Sequence, residues 1–197
     1  MFKVDSQFPE FSLEVYHPET GEVGKITTDQ LLNKSKFIVL FFYPADFTYV
    51  CPTELADLNR RHEDLKKYGA QVVVVSTDTV FTHKAWIETE EMLKDMKYLM
   101  AADHNGKLSR ELEIYDEEKG FAQRAAFIID KDNILRAVDI TADDVGRSAG
   151  ELLRKVKALH FVQNNPGHVC PASWDEGSAT LKPNIKISGK ITRELSK

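Results

Sequence analysis

Phe37-Ile38-Val39-Leu40-Phe41-Phe42-Tyr43, followed directly by Pro44-Ala45-Asp46-Phe47-Thr48-Tyr49-Val50-Cys51-Pro52, is the stretch that decides how this chain folds. The first seven residues are continuously apolar, β-branched or aromatic, the pattern of a strand buried on both faces. Pro52 suits the opening of a helix, where its missing N–H would have been unpaired in any case. Cys51 is therefore placed where a buried strand gives way to the first turn of a helix. Helix N-termini carry unpaired N–H groups and partial positive charge, which favour thiolate over thiol. In such settings a cysteine pKa falls from about 8.5 to roughly 3.5–7.5. Cys51 reads as a reactive nucleophile, with an inert buried thiol as the bland alternative.

Outward from this stretch, residues 52–68 predict one helix, with Leu55, Leu58, Leu65 and Tyr68 at helical spacing and Gly69 as its stop. Strands are expected at 71–76 and 98–101, helices at 82–95 and 107–113, a hairpin over 125–139 across Lys131-Asp132-Asn133, and a long helix over 148–162. Residues 1–36 read as short strands and turns, with a turn at Pro18-Glu19-Thr20-Gly21. The order is strand–helix–strand–helix–strand, hairpin, helix. It predicts an α/β thioredoxin-like fold, a central mixed β-sheet flanked by helices. After Asn165-Pro166-Gly167 the composition turns to Pro, Gly, Ser, Lys and Thr. The expected organisation is a domain over 1–165 and an extended C-terminal arm over 166–197 that needs a partner to order it.

The chain has 197 residues and a formal net charge of −5, and no Lys/Arg cluster forms a phosphate-binding patch, so nucleic acid is not an expected partner. No apolar run approaches a membrane span, and Met1–Asp5 opens no signal peptide, so the expected location is cytoplasmic, without membrane partners. The two cysteines, Cys51 and Cys170, lie far apart, with no C-x-x-C. Two cysteines alone make no structural zinc site, and His83, His104, His160 and His168 lack ligand spacing and read as structural or solvated. Hence no metal is expected.

A thiolate in a small cleft suits a peroxide. That substrate needs an oxygen in line with sulfur and donors for the departing oxyanion. Thr48, three residues upstream, can set its hydroxyl beside the sulfur. Pro44 shapes the loop and shields it from water. Arg124 immediately precedes a strand expected near 37–43, and its guanidinium can stabilise thiolate and peroxide together. The product is a sulfenic acid, which condenses with a second thiol, and Cys170 is the only other one. Each residue alone has a duller reading: Thr48 as a cap, Arg124 as a surface ion-pair partner, Glu54 as a first-turn carboxylate, Trp86 as core. The conjunction of Pro44, Thr48 and Cys51 carries the case.

The segment 41–54 resembles the peroxidatic motif P-x-x-x-[TS]-x-x-C of the typical two-cysteine peroxiredoxins of the alkyl hydroperoxide reductase type. Val75-Ser76-Thr77-Asp78, Phe81-Thr82-His83-Lys84-Ala85-Trp86, the segment 124–130, Gly146-Arg147 and Val169-Cys170-Pro171-Ala172 are similar to that family too. The resemblance implies a thiol peroxidase acting on hydrogen peroxide and organic hydroperoxides, with no metal or bound organic cofactor. Cys51 would be the peroxidatic cysteine and Cys170 the resolving one. Pro44, Thr48 and Arg124 would complete the site, with Glu54 and Arg147 as the network positioning Arg124. The resemblance further implies a homodimer with crossed arms, an intersubunit Cys51–Cys170 disulfide and a decameric ring of five dimers. The reductant would be a flavoprotein disulfide reductase or a thioredoxin-like protein. The chain lacks the Gly-Gly-Leu-Gly insertion and terminal Tyr-Phe of easily over-oxidised members, which implies a loosely held arm and resistance to over-oxidation. A ring-forming holdase or peroxide sensor stays open beside this reading. A general disulfide oxidoreductase is disfavoured by the missing C-x-x-C.

Overall fold

A computed structural model describes residues 3–196. Strands β1 (Ser12–His17) and β2 (Glu22–Thr27) pair antiparallel across the turn at 18–21, where Gly21 takes φ +72°. Helix α1 (Thr28–Leu32) follows, opened by a reciprocal capping box between Thr27 and Gln30. Next come β3 (Phe37–Phe42), α2 (Cys51–Arg60), α3 (His62–Lys67), β4 (Ala70–Ser76), α4 (Val80–Thr89), β5 (Leu99–Ala102) and α5 (Lys107–Glu111). A small hairpin of β6 (Tyr115–Asp116) and β7 (Phe121–Ala122) leads into β8 (Arg124–Asp130) and β9 (Leu135–Thr141), followed by α6 (Ala149–Asn164) and a terminal α7 (Ile191–Leu195).

Seven strands form one mixed sheet in the order β2-β1-β5-β4-β3-β8-β9. The uninterrupted apolar run becomes the interior strand: all six β3 residues are buried, parallel to β4 on one side and antiparallel to β8 on the other. The β3–β8 register pairs Phe42 with Ala125. Arg124 therefore stands one step beyond, at the end of β3 from which the Pro44–Val50 loop departs. Phe42 packs edge-on against Phe127, and Phe127 against Phe8, within the apolar cluster beneath the sheet.

Three expectations change in detail. The single helix over 52–68 is two, interrupted at Arg61 (φ −100°, ψ 9°), although Leu55, Leu58, Leu65 and Tyr68 are all buried as their spacing requires. Helix α2 starts at Cys51 itself, with Pro52 second. The helix over 82–95 ends at Thr89, where Glu90 turns extended and caps a short 3₁₀ turn over Glu91–Leu93.

The described residues form two compact units that divide between Ala149 and Gly150. This differs from the shift of composition near 165, because the later residues fold back onto α6. Trp174 stacks on Phe161 with ring centroids 5.0 Å apart, its carbonyl accepts from Arg154, and Lys157 pairs with Asp175 at 2.8 Å. A bridge between Val169 and Leu181 closes the loop that carries Cys170. No helix among the described residues is long and apolar enough to cross a membrane.

Candidate active site

Cys51 is the first residue of α2 and is fully buried. Its N-cap, Val50, supplies no side-chain hydrogen bond, so the first turn is held by Thr53 and Glu54 N–H groups reaching back to the Val50 carbonyl at 3.0 and 3.2 Å. Arg124 Nη1 donates to Cys51 Sγ at 3.3 Å and to Glu54 Oε2 at 2.6 Å, while its Nε donates to the Asp143 carbonyl at 2.8 Å. All three anchors point the guanidinium at the helix start. Burial works to lower the Arg124 pKa, but its bonds to Cys51 and Glu54 outweigh that, and the net shift is upward.

Glu54 is shared. Its Oε1 accepts from the Arg147 backbone N–H at 2.8 Å and from Arg147 Nε at 2.9 Å. Arg147 Nη2 also donates to the Phe42 carbonyl at 2.8 Å, and the guanidinium lies 3.6 Å over the Phe41 ring. Burial pulls the Arg147 pKa down, with Glu54 opposing. The side chains of Arg124 and Arg147 are each 5% exposed and that of Glu54 1%. Gly146 permits the approach, since a Cβ there would meet Val50 Cγ1 at 3.2 Å.

Five of the residues singled out in the sequence thus form one arrangement: Cys51, Glu54, Arg124 and Arg147 by direct bonds, and Pro44 as the buried start of the loop. Thr48 enters by another route. It is not a helix cap: its hydroxyl donates to the Ala45 carbonyl at 2.8 Å, so the hydrogen is spent within the loop and Oγ1 retains only lone pairs to offer. Cys170 lies in the second unit, part-buried, with Sγ 3.8 Å from the Ala158 carbonyl. Burial raises its pKa, and Arg154 pulls in the opposite direction.

Sequence reasoning passed over Asp46 and took His83 for a structural or solvated residue. Both side chains are fully buried and bonded to each other at 2.7 Å, and the Tyr43 hydroxyl donates to the other Asp46 oxygen at 2.7 Å. The available signal was an ionisable residue inside an otherwise apolar motif. Trp86 is core, as read, stacked near both Tyr43 and Phe47. No group of three or more metal-ligating side chains occurs among the described residues.

Cys51 thus lies at a strand-to-helix junction of a mixed sheet, beside a buried arginine–glutamate–arginine network. The profile described as the AhpC/TSA family matches residues 4–138, and the chain belongs to that family. Alkyl hydroperoxide reductase C of Escherichia coli (strain K12) is 47% identical over 173 residues, covering 88% of this chain and 91% of the relative. The protein of the same name from Staphylococcus aureus (strain Mu50) is 41% identical over 191 residues, 97% and 100% of the two chains. Among solved structures, Enterococcus faecalis AhpC aligns with TM-score 0.81 and 37% identity over 87% of this chain and all of that one. The reduced 2-Cys peroxiredoxin of Plasmodium vivax aligns with TM-score 0.91 and 26% identity over 98% and 100%. These neighbours share the thioredoxin-like fold expected from the order of elements.

Proposed function

We propose that this chain is a thiol peroxidase that reduces hydrogen peroxide and organic hydroperoxides through Cys51. The observation that carries the reading is geometric. A guanidinium held by a buried carboxylate donates to Cys51 Sγ at 3.3 Å, and that sulfur belongs to the first residue of a helix. A fixed cation and a helix N-terminus both favour an attacking anion at sulfur and the negative charge that develops on a departing oxygen.

The chemistry follows from the donors. The thiolate attacks the near oxygen of RO–OH, forming an S–O bond as the O–O bond breaks. Cys51 becomes a sulfenic acid, and RO⁻ leaves and takes a proton from solvent. Arg124 faces the charge moving from sulfur to the departing oxygen. Thr48 Oγ1, its own hydrogen committed to Ala45, accepts a hydrogen bond from the peroxide O–H, whose hydrogen stays on the oxygen that joins sulfur. Pro44 shields the thiolate. The Cys170 thiol then condenses with the sulfenic acid, releasing water and leaving a disulfide. We assign this bond between subunits of a homodimer, with dimers joined in a decameric ring. A flavoprotein disulfide reductase or a thioredoxin-like protein in the cytoplasm would restore both thiols. The names of the relatives support the substrate class, and the position of Cys170 in a separate compact unit supports a resolving thiol that travels.

A peroxidase assay coupled to a dithiol reductant tests it. Cys51→Ser abolishes turnover. Cys170→Ser keeps one rapid oxidation per chain but loses the disulfide-linked dimer on a non-reducing gel. Normal turnover by Cys51→Ser would defeat the assignment.

A further inference from the structure

The buried Asp46–His83 pair has no part in the chemistry above, yet it sits inside the loop that carries Thr48. His83 Nδ1 lies 2.7 Å from Asp46 Oδ2, and His83 Nε2 lies 3.2 Å from the Ala101 carbonyl. Tyr43 O–H donates to Asp46 Oδ1 at 2.7 Å. The Asp46 backbone N–H donates to Asp78 Oδ2 at 2.9 Å, and Asp78 Oδ2 also accepts from Ser76 Oγ at 2.8 Å. The ends of β3, β4 and β5 and the helix α4 are thereby all tied to one loop residue.

The partners fix the protons. A carbonyl only accepts, so His83 Nε2 carries hydrogen. Tyr43 stays a neutral donor, because burial and then the Asp46 charge push its pKa far up. One further proton lies between Asp46 and His83, and with it the group is neutral overall and every bond is made. Burial raises the Asp46 pKa while His83 lowers it. A buried pair of this kind is a poor source of stability, since an apolar replacement serves as well or better. Its effect is geometric. The next residue, Phe47, holds φ +55°, an uncommon value for an aromatic side chain that persists only when its surroundings impose it.

We propose that Asp46 and His83 are positioning residues for peroxide reduction: by pinning the loop they fix the Ala45 carbonyl, which takes the Thr48 hydrogen and keeps Thr48 Oγ1 an acceptor for substrate. Without the brace the Ala45 carbonyl moves and the Thr48 hydroxyl is free to turn, so it no longer presents a lone pair to the peroxide. The proposal rests on the peroxidase reading above. It adds that hydrogen-bond geometry, not charge, is what the brace supplies. Asparagine at 46 can accept from Tyr43 and donate to His83 Nδ1 while His83 keeps its bond to Ala101, so it should replace aspartate.

The test uses the full chain and compares two reactions of Cys51. Oxidation by hydrogen peroxide needs Thr48, whereas alkylation by N-ethylmaleimide does not. Asp46→Ala is expected to slow oxidation roughly tenfold or more, with alkylation changed less than about twofold. Asp46→Asn restores most of the oxidation rate. In a Thr48→Val background, Asp46→Ala causes no further loss, because the two act as one unit. Should Asp46→Ala fail to fold, Asp78→Ala, which removes the acceptor for the Asp46 N–H, decides by the same ratio of rates. Equal slowing of both reactions, an additive loss with Thr48→Val, or an Asp46→Asn protein as slow as Asp46→Ala overturns the proposal. A wild-type protein that is slow with peroxide defeats the peroxidase reading, whereas fast Asp46→Ala beside fast wild type defeats the brace alone.

Discussion

Arg124 Nη1 lies 3.3 Å from Cys51 Sγ, although 73 positions separate the two residues. The contact is set by strand register. Phe42 pairs with Ala125, so Arg124 falls level with the end of β3, and the loop from that end returns the chain to the first residue of α2. The same guanidinium is held at 2.6 Å by Glu54, one helical turn below the sulfur, so it is in place before any substrate arrives.

Arg124→Lys keeps a positive charge but loses the fork that reaches sulfur, carboxylate and the Asp143 carbonyl together. The expected result is a fall of about 100-fold or more in the rate of Cys51 oxidation by peroxide. Stopped-flow fluorescence at matched peroxide concentration measures it, and a fall under about threefold contradicts the role given to the guanidinium fork.

Glu54→Gln leaves two buried guanidiniums without their shared counter-charge. The protein should lose about 3–5 kcal/mol of stability, read from denaturant midpoints at constant m-value. Arg147→Met added to Glu54→Gln removes one of the stranded charges and should recover part of the loss. If Glu54→Gln unfolds like the wild type, the network is not electrostatically coupled.

Thr48→Ser retains the hydroxyl and its bond to the Ala45 carbonyl, whereas Thr48→Val keeps the shape and loses both. The serine variant should oxidise within a few-fold of wild type, roughly, and the valine variant about 100-fold slower. Equal rates for the two variants would remove Thr48 from the mechanism.

Cys170 gives a pH dependence. Burial holds its thiol above the ordinary value, so the folded arm binds that proton more tightly than a released arm does. The contribution to arm docking is complete below the ordinary thiol pKa and is lost as pH rises through the raised one. In Cys51→Ser, alkylation of Cys170 should therefore show a midpoint above that of a small free thiol. Arg154→Gln removes the opposing positive charge and should move the midpoint higher still. A midpoint below that of the free thiol contradicts this reading.

The place of Cys51 at a helix start, the strand beside it and the approach of Arg124 were legible because local chemistry and long-range placement agree there. An apolar run such as 37–42 has only an interior position available to it, and Pro52 marks the helix start. The α2–α3 interruption was not legible, since Leu58 and Leu65 keep helical spacing across the break at Arg61. Nor was the division at Ala149, because composition reports flexibility and says nothing of Trp174 stacking on Phe161. Asp46 went unremarked and His83 read as structural or solvated, since burial is a property of the assembled core.

The order of residues by itself determined which strand lies inside, where the thiol sits on its helix and which side chains were available to act on it, because these follow from periodicity and the backbone rules of proline and helix ends. Only the tertiary structure decided which atoms of Glu54 hold each arginine, that the Thr48 hydrogen is spent on Ala45 and that an aspartate–histidine pair grips the loop. Hydrogen bonds are satisfied across strands and helices distant in sequence, and no local pattern records which donor will meet which acceptor once water is gone.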